Sequence, residues 1–542
     1  VEEDLNFNSR RSTVYSTHGM VATSQPLAAQ AGIDILALGG NAADAAIATS
    51  AALNVTEPTT SGIGGDSFAL YYDARTQEIS ALNGSGRAPS GLTLERVAED
   101  GFGDGIPHFH AHTVTVPGTC AAWSDLLDRH GTLPLPVVLA PAIRLAEEGF
   151  PVAPITAFFW QRGVERQLRS ASGGAELMLH GRGPRAGEIF RNPGLGRTFR
   201  AIAEGGPRVF YGGKIATAIA RVVQETGGSL TEDDLGKHLS TWDEPISTTY
   251  RGVRVWEAPP NGQGLTALIA LNILEEFEFT EAEPLGWQRL HLVAEALRIA
   301  FADTNWFIAD PSFAFIPQEV LLSKGYAERR RSLIDPRRAT VEQPIGVPSL
   351  GSDTVYIAAI DGDGNACSFI NSNYMGFGTG IVPEGWGFTL QNRGHGFSLD
   401  PEHPNALAPG KRPYHTIIPG MATTEDGSLF ASFGVMGGFM QPQGHVQVVM
   451  GLIDDGLDPQ SALDRPRINL TEAHSSSPLA VEAGVPETTV EKLSEMGHQV
   501  EVISGQMRAI FGRGQIITRA PDSGVLAGGS DPRADGCALP LG

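Results

Sequence analysis

Three groups of residues in the 542-residue chain have types and spacings suited to chemistry. The first centres on Thr354. It opens the apolar run TVYIAAI directly after a loop crowded with Gly346, Pro348, Ser349, Gly351 and Ser352, and such a run reads as a buried strand. Asp361-Gly362-Asp363-Gly364-Asn365 then reads as a turn and ACSFINSN as the return strand. With the turn centred on Asp363, Ile360 pairs with Ala366 and Thr354 faces Ser372, with Cβ atoms about 4.5–5.5 Å apart. Two hydroxyls then lie side by side, and a one-residue slip would part them. The plain alternative is a structural strand threonine beside an ordinary serine. The second group is Gly437-Gly438 in GVMGGFMQPQGH, after the strand-like SLFASFG. Paired glycines can turn two N–H groups toward an anion, or they make a tight turn before a helix. The third is His108, His110 and His112 in HFHAH. Their period of two sets three imidazoles on one strand face, as a metal site would need or as a surface strand would show, with no carboxylate or cysteine nearby in sequence.

Other elements must hold these residues in place. PLAAQAGIDILAL followed by Gly39-Gly40 reads as a helix and its stop, and Asn41 caps a second, small-residue helix, AADAAIATSAALNV. SGIGGDSFALYYD is a glycine turn and a strand. Residues 132–148 and 213–226 read as helices, and 256–274 as a strand end, a Pro/Gly turn and a helix. Residues 287–307 form a strong helix with Leu290, Val293, Ala294, Leu297 and Phe301 on one stripe. RRRSLIDPRRATVEQP reads as a surface linker. Beyond it the chain is led by strands, with helical patterns at 442–456 and 487–496.

Bulk properties narrow the function. A hydrophobic content of 41% with 18% charged residues describes a globular protein. The net charge of −22 argues against nucleic acid and anionic lipid as partners. The three cysteines, Cys120, Cys367 and Cys537, form no CxxC motif and no disulfide framework. No stretch reaches the roughly 18 apolar residues of a membrane span. There is no G-x-S-x-G serine elbow and no P-loop. The segment VEEDLNFNSRR has no apolar core of a signal peptide, so a cytoplasmic location is expected, with a periplasmic or secreted one open if a leader was trimmed.

Several segments together resemble the γ-glutamyltransferase family, in its order and over nearly the whole chain. They are 19–70, VPGTCAAW (116–123), APPNGQG (258–264), EALRIAFAD (295–303), DTVYIAAIDGDGN (353–365), FGTGIV (377–382), GKRPYHTIIPGM (410–421) and GVMGGFMQPQG (434–444). The resemblance implies an α+β fold, the αββα sandwich of the N-terminal-nucleophile hydrolases. It also implies one inactive chain that cuts itself before a threonine, here between Asp353 and Thr354. The products would be a large segment, 1–353, with a surface processing linker at about 325–353, and a small segment, 354–542. The two stay associated, and a dimer of such heterodimers remains open. After the cut, the new α-amine of Thr354 lies beside its own hydroxyl; with an unperturbed pKa of about 7.7–8.0 it can serve as the base. Thr354 is then the nucleophile, Ser372 replaces a family threonine that steadies it, and Gly437 and Gly438 match the oxyanion-hole glycines.

The implied substrate pocket departs from the glutathione-cleaving members. Arg87 in NGSGRAPSG stands two residues nearer the proline than their substrate-carboxylate arginine. His415-Thr416 replace a serine pair, and Tyr374 an asparagine. Arg393 and Gly396 replace the Gln/Glu and Asp that grip the substrate's α-ammonium. An ammonium would lose its counter-charge and meet Arg393, and a buried unpaired charge costs several kcal/mol. The pattern resembles the divergent branch related to cephalosporin acylases and oxamate amidohydrolase. It implies a threonine amidohydrolase that removes a γ-glutamyl or related carboxyacyl group from a small amide, by hydrolysis or transfer, with no cofactor and no metal. An unprocessed, non-catalytic binding homologue is the alternative of another class. A zinc hydrolase built on His108, His110 and His112 is a third.

Overall fold

A computed structural model describes residues 11–279, 282–340, 353–471 and 477–542. Two seven-stranded antiparallel sheets lie at its centre. One runs Val14–Ser16, Leu526–Ser530, Arg513–Arg519, Leu429–Met436, Gly420–Thr423, Val253–Glu257, Ile246–Tyr250. The other runs Cys537–Pro540, Met20–Thr23, Asp353–Ile360, Ala366–Tyr374, Asp66–Asp73, Glu78–Asn83, Thr241–Asp243. Each sheet takes strands from both sides of residue 353.

The layering follows from side-chain parity. In the Asp353–Ile360 strand, Val355, Ile357 and Ala359 join a core with the alanines of the helices Pro26–Ala37 and Ala42–Thr56. Tyr356, Ala358 and Ile360 face the other way and pack with Met421 and Ile517 of the opposite sheet. Val255, Phe433 and Ile516 of that sheet in turn pack under the helices Gly264–Glu275, Trp287–Phe307 and Met440–Ile453. Helices, sheet, sheet and helices make the expected αββα sandwich. A strand buried on both faces cannot shift by one residue without exchanging its two environments. Asn41 caps the second helix as expected, accepting from the Ala43 and Asp44 N–H groups while Asp44 answers the Asn41 N–H.

Two expectations are corrected. RRRSLIDPRRATVEQP does not begin as a loop: Lys324–Arg331 is a helix with Ala327 buried, and Ala339 is tied through its N–H to the Met496 carbonyl at 2.8 Å. Its apolar positions are too few to announce that helix. Residues 341–352 of the expected processing linker lie outside the described residues. HFHAH is not a strand: His108–His110 lie in a turn and Ala111–Thr113 is a short 3-10 helix. A carboxylate also meets it, since His112 Nε2 lies 2.8 Å from Asp100. Period two arose there without a ladder: the His110 and His112 rings lie 4.7 Å apart, while His108 packs on His395 at 4.1 Å.

A glycine makes room for Tyr356 between the two sheets. A Cβ on Gly434 would stand 2.4 Å from the Tyr356 ring. Gly434→Ala should therefore destabilise the protein by about 1–3 kcal/mol through overpacking, seen as a lower urea midpoint. An unchanged midpoint would mean that the sheets can part freely here.

Candidate active site

Thr354 has the parity of Tyr356 and Ala358, so its side chain enters the space between the sheets. The expected register holds from Val355↔Asn371 to Ile360↔Ala366. It breaks at Thr354, because Asp353 pairs with Tyr374 and leaves Ser372 and Asn373 opposite one residue. This β-bulge bends the return strand and re-aims its side chains, a device common beside active sites. Thr354 Oγ1 still donates to Ser372 Oγ at 3.2 Å, and both residues are fully buried. Ser372 Oγ also accepts from the Tyr374 N–H at 2.8 Å and from an Arg393 NH2 at 3.2 Å. One hydroxyl oxygen thus gathers the threonine, the bulge backbone and a guanidinium. Tyr374 pays for its place with φ +79°, the left-handed region that non-glycine residues seldom occupy.

A second element reaches Thr354 from the opposite sheet. The strand Leu429–Met436 ends at Gly437-Gly438, with φ +131° and +62°, and the helix Met440–Ile453 starts at once. These angles favour glycine. Gln441, in the first turn of that helix, donates from Nε2 to Thr354 Oγ1 at 3.3 Å. Its Oε1 accepts from the Ile418 N–H at 2.9 Å, which fixes the amide's orientation. Gln263 Nε2 donates to the Gly438 carbonyl at 2.8 Å and to the Thr416 carbonyl at 2.6 Å. The glycine pair, a helix N-terminus with its partial positive charge and the Thr354 hydroxyl therefore meet at one end of the inter-sheet space.

The third component is charged. Arg393 is fully buried; it lies 4.3 Å over the Tyr374 ring and donates to Thr416 Oγ1 at 2.7 Å. Its Nε–H is buried with no acceptor among the described residues. Burial lowers its pKa to about 10, with Tyr374 and Asp66 opposing. Asp66, also fully buried, is well supplied with donors. Oδ1 accepts from the Gly86 and Gly118 N–H groups and from Gln391 Nε2 at 2.9–3.1 Å, and Oδ2 accepts from His415 Nε2 at 3.1 Å. Burial raises the Asp66 pKa to about 6, with Arg393 and these donors opposing, so Asp66 ionises as pH rises through about 6. The Ile417 N–H points at His415 Nδ1 at 3.3 Å, so the proton sits on Nε2, and burial drives the His415 pKa well below its usual value. The imidazole is a neutral brace between Asp66 and the backbone.

Of the residues singled out in the sequence, Thr354, Ser372, Tyr374, Arg393 and Thr416 come together directly, and His415 stands behind them on Asp66. Gly437 and Gly438 join through Gln441. Arg87 does not join this cluster. It lies beside Arg412, whose pKa burial and then Arg87 lower to about 10, and its NH1 is buried without an acceptor among the described residues. Gly396 turns toward Asn405, its carbonyl accepting from Nδ2 at 2.7 Å. Asp66, Gln391 and Gln441 went unnoticed in the sequence. A lone carboxylate at the head of an apolar strand, in GGDSFAL, was the available signal for Asp66.

Residues 28–541 match the family model described as gamma-glutamyltranspeptidase. The chain is 39% identical to a glutathione hydrolase-like YwrD proenzyme of Bacillus subtilis, over 97% of this chain and 99% of that one. It is 36% identical to an oxamate amidohydrolase proenzyme of Klebsiella pneumoniae, over 96% and 98%. Its fold matches the crystal structure of a cephalosporin acylase from Bacillus halodurans with a TM-score of 0.92 and 48% identity, covering 100% of this chain and 99% of that one.

Ser372→Ala removes the oxygen shared by three donors. A hydrogen bond to a charged group is worth about 1.5–3 kcal/mol, so kcat/KM on an amide substrate should fall roughly tenfold to hundredfold. Ser372→Thr, which keeps the oxygen, should retain most of the rate. Equal losses in both variants would show that the hydroxyl has no part.

Proposed function

The chain belongs to the gamma-glutamyltranspeptidase family, and from that premise we propose that Thr354 is the nucleophile of a self-processing amidohydrolase. The observation that carries this is the Thr354 Oγ1 hydroxyl, held between Ser372 Oγ and Gln441 Nε2 at the end of the inter-sheet space. In the unbroken chain, Thr354 is fully buried and its nitrogen is an amide, so it can attack its own upstream carbonyl before it meets any substrate. Oγ adds to the Asp353 carbonyl carbon, the C–N bond to Thr354 breaks, and an ester forms. Water hydrolyses the ester, leaving segments 1–353 and 354–542 with a free Thr354 amine. In turnover that amine takes the Oγ proton as Oγ attacks the substrate amide. The N–H groups of Gly437 and Gly438, beside a helix N-terminus, are suited to hold the oxyanion. The leaving amine receives the proton, and water, or an amine acceptor, releases the acyl group from Thr354.

The acyl group is proposed to carry an anion and no α-amine. Arg393 offers a buried Nε–H with no acceptor among the described residues, Tyr374 stacks beneath its plane, and Thr416 fixes one arm. Asp66, the carboxylate whose charge Arg393 feels, already accepts four hydrogen bonds, which weakens its hold on an ammonium. Arg87 and Arg412 add cationic character on the Asp66 side. A carboxyacyl amide such as a glutaryl amide fits this set better than a γ-glutamyl amide. The chain's similarity to a cephalosporin acylase supports the same reading.

Two experiments test these steps separately. Denaturing electrophoresis should resolve two fragments, the smaller with Thr354 as its N-terminal residue, whereas Thr354→Ala should stay one chain. Cleavage after Asp353 in Thr354→Ala would assign the cut to an outside protease, and an uncut wild type would favour a binding protein. For the pocket, charge-assisted pairing to arginine is typically worth ~1.5–3 kcal/mol. The protein should therefore favour glutaryl over γ-glutamyl amides of the same amine by roughly tenfold to hundredfold in kcat/KM. Arg393→Gln should erase that preference. A wild-type preference for γ-glutamyl would overturn the pocket assignment and leave the Thr354 chemistry standing.

A further inference from the structure

Away from Thr354, the long helix Trp287–Phe307 buries two residues with metal-binding atoms one turn apart. His291 and Glu295 occupy positions i and i+4 of one helix face, 0% and 1% exposed. His498, 4% exposed, meets them from the far end of the helix Glu487–Glu495. One donor atom from each of the three lies within 4.8 Å of the other two. We propose that His291, Glu295 and His498 bind a divalent metal ion of the zinc class, and that the ion staples the large segment to the small one.

The hydrogen bonds orient the donors inward. His291 Nε2 lies 2.8 Å from the Asp335 carbonyl, which can only accept, so the proton is on Nε2 and Nδ1 carries a lone pair. A backbone carbonyl holding the outer N–H of a histidine is the usual support of a metal-bound imidazole. Nδ1 accepts from His498 Nε2 at 2.8 Å, so an ion taking both nitrogens must send that proton to His498 Nδ1, which has no partner among the described residues. Glu295 Oε2 accepts from the Thr340 N–H at 3.0 Å, while Oε1 takes no hydrogen bond among the described residues. Two imidazole nitrogens and one carboxylate oxygen form a donor set for zinc, with a fourth position for water. Tetrahedral bonds of about 2.0–2.2 Å put donor atoms about 3.4 Å apart. The two nitrogens must then separate by roughly half an ångström and the carboxylate swing inward. Arg298, whose Nε lies 3.4 Å from Glu295 Oε1, is the counter-ion the metal must share or displace.

The location gives the site its purpose. His291 and Glu295 belong to the segment before Thr354 and His498 to the segment after it. Asp335 and Thr340, which brace the ligands, are among the last described residues before the proposed cut. The stapling role rests on that cut, whereas metal binding does not.

The protein, stripped with chelator, is incubated with excess Zn2+ or Co2+ and desalted, as the processed wild type and as the uncut Thr354→Ala chain. Both should retain roughly one equivalent, and the Co2+ form should show the d–d bands of a low-coordinate site. His498→Gln and Glu295→Gln should lose the metal and the bands while still cutting at Thr354. The loaded wild type should need more urea to separate its two fragments than the stripped one. Absence of bound metal and of Co2+ bands in the wild type would overturn the proposal, with no variant needed. Metal retained equally by a folded His498→Gln protein would overturn it too. Binding by both forms without any effect on separation would overturn the staple and keep the site.

Discussion

The structure depends on the pairing of Asp353–Ile360 with Ala366–Tyr374 between two buried faces. On one face Val355, Ile357 and Ala359 meet helices rich in alanine. On the other, Tyr356 reaches across the gap, its hydroxyl 2.7 Å from Ser368 Oγ and 3.3 Å from Ser432 Oγ of the opposite sheet. A slip by one residue would bury that phenol against alanine and leave the hydroxyl unsatisfied, costing about 1–3 kcal/mol before any packing loss. The register is therefore pinned along the hairpin, and the position of Thr354 follows from it. The bulge at Ser372-Asn373 adds the one irregularity that lets the return strand turn Ser372 Oγ, the Tyr374 N–H and Arg393 onto a single point.

Charge in the site is arranged by direction more than by amount. Arg393 and Asp66 are both fully buried, and neither would be tolerated alone. Together with the neutral His415 they sum to zero, so the pair exerts little field at a distance. What differs is where their bonding capacity points. The carboxylate oxygens of Asp66 turn to backbone N–H groups, Gln391 and His415, and all are engaged. The guanidinium turns toward Ser372 and Thr416 and keeps a donor in reserve. An anion can use that donor. A cation meets in Asp66 a carboxylate that already holds four donors.

Much of the sandwich was legible because its signals are local. Period-two burial marked the hairpin, Asn41 and Gly39-Gly40 marked the break between two helices, and the stripe on 287–307 gave that helix its bounds. The alternation that revealed the Thr354 strand misled at HFHAH, where three histidines share the spacing with no strand partner to make it a ladder. The helix Lys324–Arg331 was hidden because only Ala327 among its residues is buried, which leaves no apolar stripe. In the site, Thr354 and Ser372 followed from counting, while Gln441 and Asp66 did not. Their roles come from contacts between residues 87 and 349 positions apart, and such contacts leave no spacing to count.

The interleaving of the two sheets bears on why such a protein would be made as one chain and then cut. The Asp353–Ile360 strand is flanked by Met20–Thr23, and its hairpin partner by Asp66–Asp73, so residues from before position 353 enclose it on both edges. Two separate chains would have to find this arrangement by association while each exposed unpaired strand edges, a condition that favours aggregation. In one chain the same contacts are intramolecular, and loop closure grows only slowly more costly with length. Once folded, the linkage is dispensable. A break between Asp353 and Thr354 falls at the first rung of the ladder, beyond the bulge, and leaves the pairs from Val355 to Ile360 intact. The covalent bond is most useful before the sheets form and least useful afterwards. That is also the point at which the proposed cut would release an amine beside the Thr354 hydroxyl and give the nucleophile proposed there its own base.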